Sequence, residues 1–353
     1  MPFPRPAQGG AGYHREDFLF ADMNPDLEEV SAKMLQTLVS SAGRLLGDLG
    51  RSWIRERFPL RGVRTATPPA SSKYRPLRRL TLTDEVSRTL FEEYSAHRNS
   101  RRGDDETGWV LLGHREVDEA VVLATLPAGA RCSSGVAHVQ FNSSAQALGS
   151  CIVRQHDRRL RTLGVVHTHP GSLRHPSDGD FRGDCQWVRQ LAGGEGVFGI
   201  GTVDARGRGD GLFARQPRPH VQALGPLTFC WYALGPSDPD YRPLPYTITL
   251  GPDLARPLHP LWSSVEGYAE QLERLYRQLA GVTFEVLRRS DGSALSVNIP
   301  LAEPDQSLRV LLEGSTLQYY LLREGDVIAV DPGESRIDRA VYLLLAELAA
   351  QAE

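Results

Sequence analysis

The sequence predicts an α/β protein built on a mixed sheet flanked by helices, and three observations carry that expectation. Short apolar runs of strand length, at residues 109–112, 121–126, 163–166 and 197–203, alternate with stretches of helical periodicity. Helix starts are marked by capping residues, Thr83 ahead of Val86, Leu90 and Tyr94, and Ser177 ahead of Asp180. The 353 residues are 41% hydrophobic and 24% charged, a globular composition long enough for two domains.

Residues 1–22 read as a flexible arm. Asn24, a cap followed by Pro25 in the first turn, opens an amphipathic pattern of Leu27, Val30, Met34, Leu38, Leu45, Leu49 and Trp53, interrupted near Gly43 and Gly47. Residues 65–76, with Pro68, Pro69, Ser71 and Ser72, have linker composition. Residues 1–76 are thus expected to form an arm, a helical extension and a linker.

The next stretch, 77–235, is expected to hold a strand near 80–82 and a helix capped by Thr83. Strands at 109–112, 121–126 and 138–141 follow, then a helix over 144–160, the apolar run 163–166, a helix from Ser177, and strands at 197–203 and 211–214. Beyond Pro236, the residues Pro239, Pro243, Pro245, Pro252, Pro257 and Pro260 mark a boundary. Residues 245–353 then read as a small α+β module. It should contain a helix from Ser264 to Ala280 ended by Gly281, strands at 282–288, 294–299, 316–322 and 327–330, and a last helix opened by a Ser335/Asp338 capping box.

The chemistry concentrates between Gly164 and Asp180. His167 and His169 close an apolar strand, and residues two apart on a strand share a face, so both imidazoles can reach one ion. Pro170 stops the strand, residues 171–176 turn the chain, and Ser177 opens the helix that carries Asp180 back toward the same ion. Two neutral nitrogens, one carboxylate and an open fourth position suit a catalytic zinc. Such a site also needs a carboxylate outside the ligand set to move protons, and Glu106, just before the strand at 109–112, is one of the acidic residues that could serve. Asp104, Asp105 and Glu116 are its rivals. His114 and His175 lie off the spacing and are not expected to ligate. Asp178 and Asp184 could accept from the histidine N–H groups, although an exposed acidic helix start favoured by the macrodipole is the preferred reading of both.

The pattern HxHP, six residues, Ser, two residues, Asp resembles the signature of the JAMM/MPN (JAB) zinc metalloproteases, over residues of about 77–232, and in particular their bacterial deubiquitinase-like members. The fold this implies is the cytidine deaminase-like mixed sheet. The resemblance further implies one zinc per chain held by His167, His169 and Asp180, with Glu106 as general base and Ser177 as an oxyanion donor. It also implies hydrolysis after the C-terminal tail of a ubiquitin-like modifier, as deconjugation or precursor processing, with E1- and E2-like conjugation enzymes as partners. Two loops, 128–135 and 205–219, occupy positions where relatives grip the modifier's tail, the first as an edge for an incoming strand. Trp109 departs from the glycine common in bacterial relatives and is expected to narrow or cover the space beside the metal. The alternative is a scaffold version of the fold that binds partners without catalysis.

Other classes fit less well. A zinc nucleobase deaminase needs a PCxxC ligand pair, and Cys132, Cys151, Cys185 and Cys230 stand far apart. That spacing also favours reduced thiols over a disulfide framework. A formal charge of -3 gives no reason to expect a nucleic-acid partner. No apolar stretch reaches membrane-spanning length and no signal peptide is visible, so the cytoplasm is expected. Lys33 and Lys73 are the two lysines among 40 basic residues, a bias that genome composition explains.

Overall fold

The computed structural model describes residues 73–351, apart from 130–133, 136–137, 140, 142, 170, 204–213, 290–291 and 304. The expected N-terminal arm, the helix over 24–53 and most of the linker lie outside the described residues, as does Pro170.

A helix-flanked mixed sheet organises the chain from residue 79 onward. Its strands in sequence order begin with β1 (Arg79–Thr83), β2 (Gly108–Arg115), β3 (Glu119–Pro127), a small separate pair β4 (Ser134–Gly135) and β5 (His138–Val139), and β6 (Arg161–Thr168). Then come β7 (Gly196–Val203), β8 (Arg215–Arg218), β9 (Val221–Leu224), β10 (Leu227–Leu234), β11 (Arg242–Pro243) and β12 (Tyr246–Thr249). The spatial order is β12-β1-β3-β2-β6-β7-β10-β9-β8, with β11 on β10. β1 runs parallel to β3 and β12, and β6 parallel to β7, while the other neighbours are antiparallel.

Helix α1 (Asp84–Arg98) covers one face. Its N-cap is Thr83, whose hydroxyl accepts from the Val86 amide, and its buried side Val86, Leu90, Phe91 and Tyr94 packs on Trp109, Leu111, Val166, Phe229 and Trp231. The opposite face carries α2 (Ser143–Arg154) and α3 (Asp178–Trp187). At Gly164, φ is +155° and an added Cβ would lie 1.7 Å from the Val197 carbonyl oxygen, so only glycine fits this close approach of β6 to β7. The β2–β6 register slips at the same place, between Leu111 and Leu112. Bulges of this kind redirect the side chains that follow them.

Trp109 does not cover the histidines. It pairs with Val166 while Gly108 pairs with His167, and neighbours along a strand point to opposite faces. The indole is 2% exposed beneath α1, donating to Glu93 Oε2 at 2.6 Å.

Packing runs across the boundary expected at 236–245. β12 joins the main sheet edge, pairing Leu80 with Tyr246, and α4 (Trp262–Gln278) lies on α2, where an added Cβ at Gly149 would meet the Trp262 ring at 2.9 Å. A second antiparallel sheet follows in sequence order, β13 (Thr283–Arg289), β14 (Gly292–Pro300), β15 (Gln306–Glu313), β16 (Thr316–Arg323) and β17 (Asp326–Val330), and α5 (Ile337–Gln351) ends it. Leu126, Leu148 and Ile152 share one continuous core with Val265, Leu272, Val297, Val310 and Val341.

Several element expectations are corrected. The helix expected over 144–160 ends at Arg154, where the Gln155 and His156 amides close a last turn onto Ile152 and Val153 and a separate turn follows at 157–160, in which Asp157 accepts from the Arg159 amide at 2.9 Å. The strand expected at 211–214 lies outside the described residues up to 213, and β8 begins at Arg215. No Ser335/Asp338 box forms. Glu334 accepts from the Arg336 amide at 2.9 Å instead, and Asp338, 3% exposed, pairs with Arg274 and Arg336. Strands β9, β10, β12 and β15 were not expected.

Candidate metal centre

β6 and α3 bring the donors together. The Nε2 atoms of His167 and His169 are 3.1 Å apart, His167 Nε2 is 3.4 Å from Asp180 Oδ1, and His169 Nε2 is 3.5 Å from Asp180 Oδ2. One ligand atom from each residue falls within 4.8 Å of the others. The side chains are 12%, 7% and 21% exposed, so the cluster is sheltered yet reachable.

Each donor is aimed by its surroundings. Gly108 sits opposite His167, and a Cβ there would meet the Val166 carbonyl oxygen at 2.6 Å, Phe141 at 3.2 Å and His167 Cβ at 3.3 Å. The missing side chain makes room for the imidazole. The His169 amide donates to the Gly201 carbonyl at 2.8 Å, extending the β6–β7 pairing past the strand's end. His169 Nδ1 lies 2.9 Å from the Leu173 carbonyl oxygen, so Nδ1 carries the proton and Nε2 presents its lone pair to the cluster.

Ser177 is the N-cap of α3, and the capping box is formed. Its hydroxyl accepts from the Asp180 amide at 3.2 Å, and its own amide and hydroxyl donate to Asp180 Oδ2 at 2.6 and 2.7 Å. The box that starts the helix therefore also fixes the carboxylate rotamer facing the histidines.

Glu106 lies one step beyond the β2–β6 pairing. Thr107 and Thr168 bond through Thr107 N to Thr168 Oγ1 at 3.0 Å and Thr168 N to Thr107 O at 2.8 Å. The antiparallel register thus sets Glu106 beside His169. Glu106 is 6% exposed, and its charge is felt at the His169 ring. The rivals lie elsewhere: Asp104 pairs with Arg98, Asp105 with Arg102, and Glu116 sits past the far end of β2.

The charges report the same proximity. Burial would raise the Asp180 carboxyl, but hydrogen bonds from His167, His169 and Ser177 outweigh it and hold the group well below the usual carboxylate range. Burial would lower His169, yet the Asp180 and Leu173 hydrogen bonds and the charges of Asp180 and Glu106 raise it. Asp184 is not an exposed helix start. Burial pushes it up to about 6 despite hydrogen bonds from Tyr241 at 2.7 Å and Trp187 at 3.1 Å. Asp178 is exposed. His114 pairs with Asp157, and His175 rests on the Tyr232 ring, so neither joins the cluster.

Among the described residues, His167, His169 and Asp180 form the one such cluster. Two imidazole nitrogens and a carboxylate, with the outer nitrogen of His169 held by a backbone carbonyl, fit a zinc ion. Of the expected tail-gripping loops, 130–133 and 204–213 lie outside the described residues. Within the first, Ser134–Gly135 pairs antiparallel with His138–Val139, so part of its backbone is already engaged.

Comparison with known proteins gives a family for part of the chain. Residues 87–210 match the family model of prokaryotic homologs of the JAB domain, a span that contains Glu106, both histidines, Ser177 and Asp180. This part of the chain belongs to the JAB/MPN family. A solution structure of a protein from Desulfitobacterium hafniense is similar at 15% identity, covering 49% of this chain and 94% of that one with a TM-score of 0.29, a likeness too slight to carry an argument. No curated protein matches. Among the described residues, no helix is long and apolar enough to cross a membrane.

Proposed function

We propose that this protein is a zinc-dependent peptidase or isopeptidase that cuts after the C-terminal tail of a ubiquitin-like modifier. The observation that carries the reading is the convergence of His167, His169 and Asp180 within 4.8 Å, with buried Glu106 set beside His169 by strand register. Family membership of residues 87–210 supports it. A zinc held there would polarise a scissile carbonyl and acidify water. Glu106, outside the ligand set, takes the proton from the attacking water and returns it to the departing amine. Ser177 acts first by aiming Asp180, since its hydroxyl hydrogen is directed at Oδ2, and donation to a developing oxyanion requires the hydroxyl to turn. A ubiquitin-like conjugate as substrate, E1- and E2-like enzymes as partners and a cytoplasmic setting belong to the same proposal.

The test pairs metal content with turnover. Wild type should hold about one zinc per chain, Asp180→Asn should hold far less, and Glu106→Gln should keep the zinc while hydrolysing a fluorogenic modifier-tail substrate roughly 10²- to 10⁴-fold more slowly. Stoichiometric zinc without any hydrolysis by wild type would favour the scaffold reading. Absence of zinc from protein purified with the metal supplied would end the proposal.

A further inference from the structure

Beside the metal centre runs a basic, aromatic strip that none of the proposed chemistry uses. One row of paired residues crosses the sheet from His167 through Ile200, Cys230 and Val221 to Arg218. Residues directly opposite each other share a face, so Arg218 projects on the histidine side. Arg215, paired with Ala223, does so as well, since Ala223 and Val221 lie two apart. Four strand spacings separate the ends, about 19 Å.

The loop after the histidines bridges that distance. Leu173 holds His169 Nδ1 through its carbonyl, and Arg174 accepts from the Tyr232 hydroxyl at 2.7 Å through its own. The His175 ring lies 5.0 Å from Tyr232 and the His220 ring 5.9 Å from it. The charges of Arg174 and Arg218 are felt at Tyr232 and Cys230, and that of Arg218 at His220. Among the described residues neither Arg215 nor Arg218 pairs with a carboxylate, although the whole chain carries a formal charge of -3. The strip is firmly placed: Gln216 donates to the carbonyls of Pro219 and Tyr246, each at 3.1 Å, and the Tyr246 amide donates to Pro219 at 3.0 Å.

We infer that this strip binds an acidic segment of the substrate polypeptide, about six extended residues from the scissile bond, with the exposed Arg215 and Arg218 pairing its carboxylates beside the rings of His175 and His220, which buried Tyr232 supports from beneath. The inference rests on the peptidase reading for its purpose but not for its measurement. Carboxylate pairing by a bound segment would give Arg215 and Arg218 the partners that no carboxylate among the described residues supplies.

The test uses full-length Glu106→Gln protein loaded with zinc and fluorescein-labelled octaglutamate, octalysine and (Gly-Ser)₄ peptides, with fluorescence anisotropy at low and high salt. Octaglutamate should bind at least tenfold more tightly than either other peptide and weaken with salt. Arg215→Glu combined with Arg218→Glu should cost a further tenfold or more while leaving zinc content unchanged. Unaltered octaglutamate binding in that variant overturns the inference. So does a twelve-residue oligothymidine that competes more tightly than octaglutamate through the same arginines, which would make the strip a nucleic-acid surface. If wild type hydrolyses nothing while arginine-dependent octaglutamate binding persists, the peptidase reading falls and the acidic-segment surface stands.

Discussion

Asp180 shows how much one rotamer can be asked to do. Its Oδ2 closes the helix cap with Ser177 while both carboxylate oxygens face imidazoles. Ser177→Ala should therefore lose about 1 kcal/mol of stability through the cap and, unlike an ordinary cap deletion, also weaken zinc retention. Urea unfolding together with competition by a chelator separates the two effects, and a stability loss with unchanged zinc affinity would show that the cap does not aim the ligand. These residues were legible because they are local: a strand end, a turn and a helix cap fix their relation within Gly164 to Asp180. Trp109 was not legible in the same way. Which face of β2 it takes depends on pairing with β6 across more than fifty residues, and the pairing that sets Gly108 against His167 sends the indole under α1.

At the scale of elements, the 3₁₀ segment Arg256–Leu261 ties the chain beyond the sheet to α1 and β3. His259 Nδ1 bonds Glu93, whose other oxygen holds Trp109, and His259 Nε2 lies 2.7 Å from the Thr125 carbonyl. With an acceptor at each nitrogen the ring is a double donor, hence an imidazolium. Burial would lower its pKa, but the Glu93 hydrogen bond and charge, with Asp253 and the Thr125 carbonyl, raise it. A raised folded value means that this stabilisation is complete below the unfolded value of about 6.5 and fades as pH climbs through the folded one. His259→Gln should thus lower the urea midpoint most at pH 6, and the gap to wild type should narrow toward pH 9. A gap independent of pH would show the ring to be neutral throughout. Elements of this kind escape periodicity. β10, LTFCWYAL, is buried at every position, so it shows no alternation, and its run of eight apolar and β-favouring residues was the available signal.

For the molecule as a whole, the prolines between 236 and 260 suggested a boundary, yet they mark the path by which the chain returns to the β1 edge. Proline clusters report that a segment is neither helix nor central strand, not that packing stops there. The consequence is measurable: a chain truncated after residue 244 would lose Val265, Leu272, Val297 and Val341 from the core shared with Leu126, Leu148 and Ile152. Losing even one such side chain typically costs about 2–5 kcal/mol, against a total stability of roughly 5–15 kcal/mol. Residues 1–244 alone should therefore lack near-ultraviolet dichroism and precipitate or unfold without cooperativity. A soluble, cooperatively melting fragment would show that the metal-bearing half stands alone.

That common interior constrains how such a protein can be rebuilt. A C-terminal third swapped in from a relative would have to present the same knobs to α2, the Trp262 ring over Gly149 first among them, so exchanges of tails between cousins should fail unless the helix that receives them is exchanged as well.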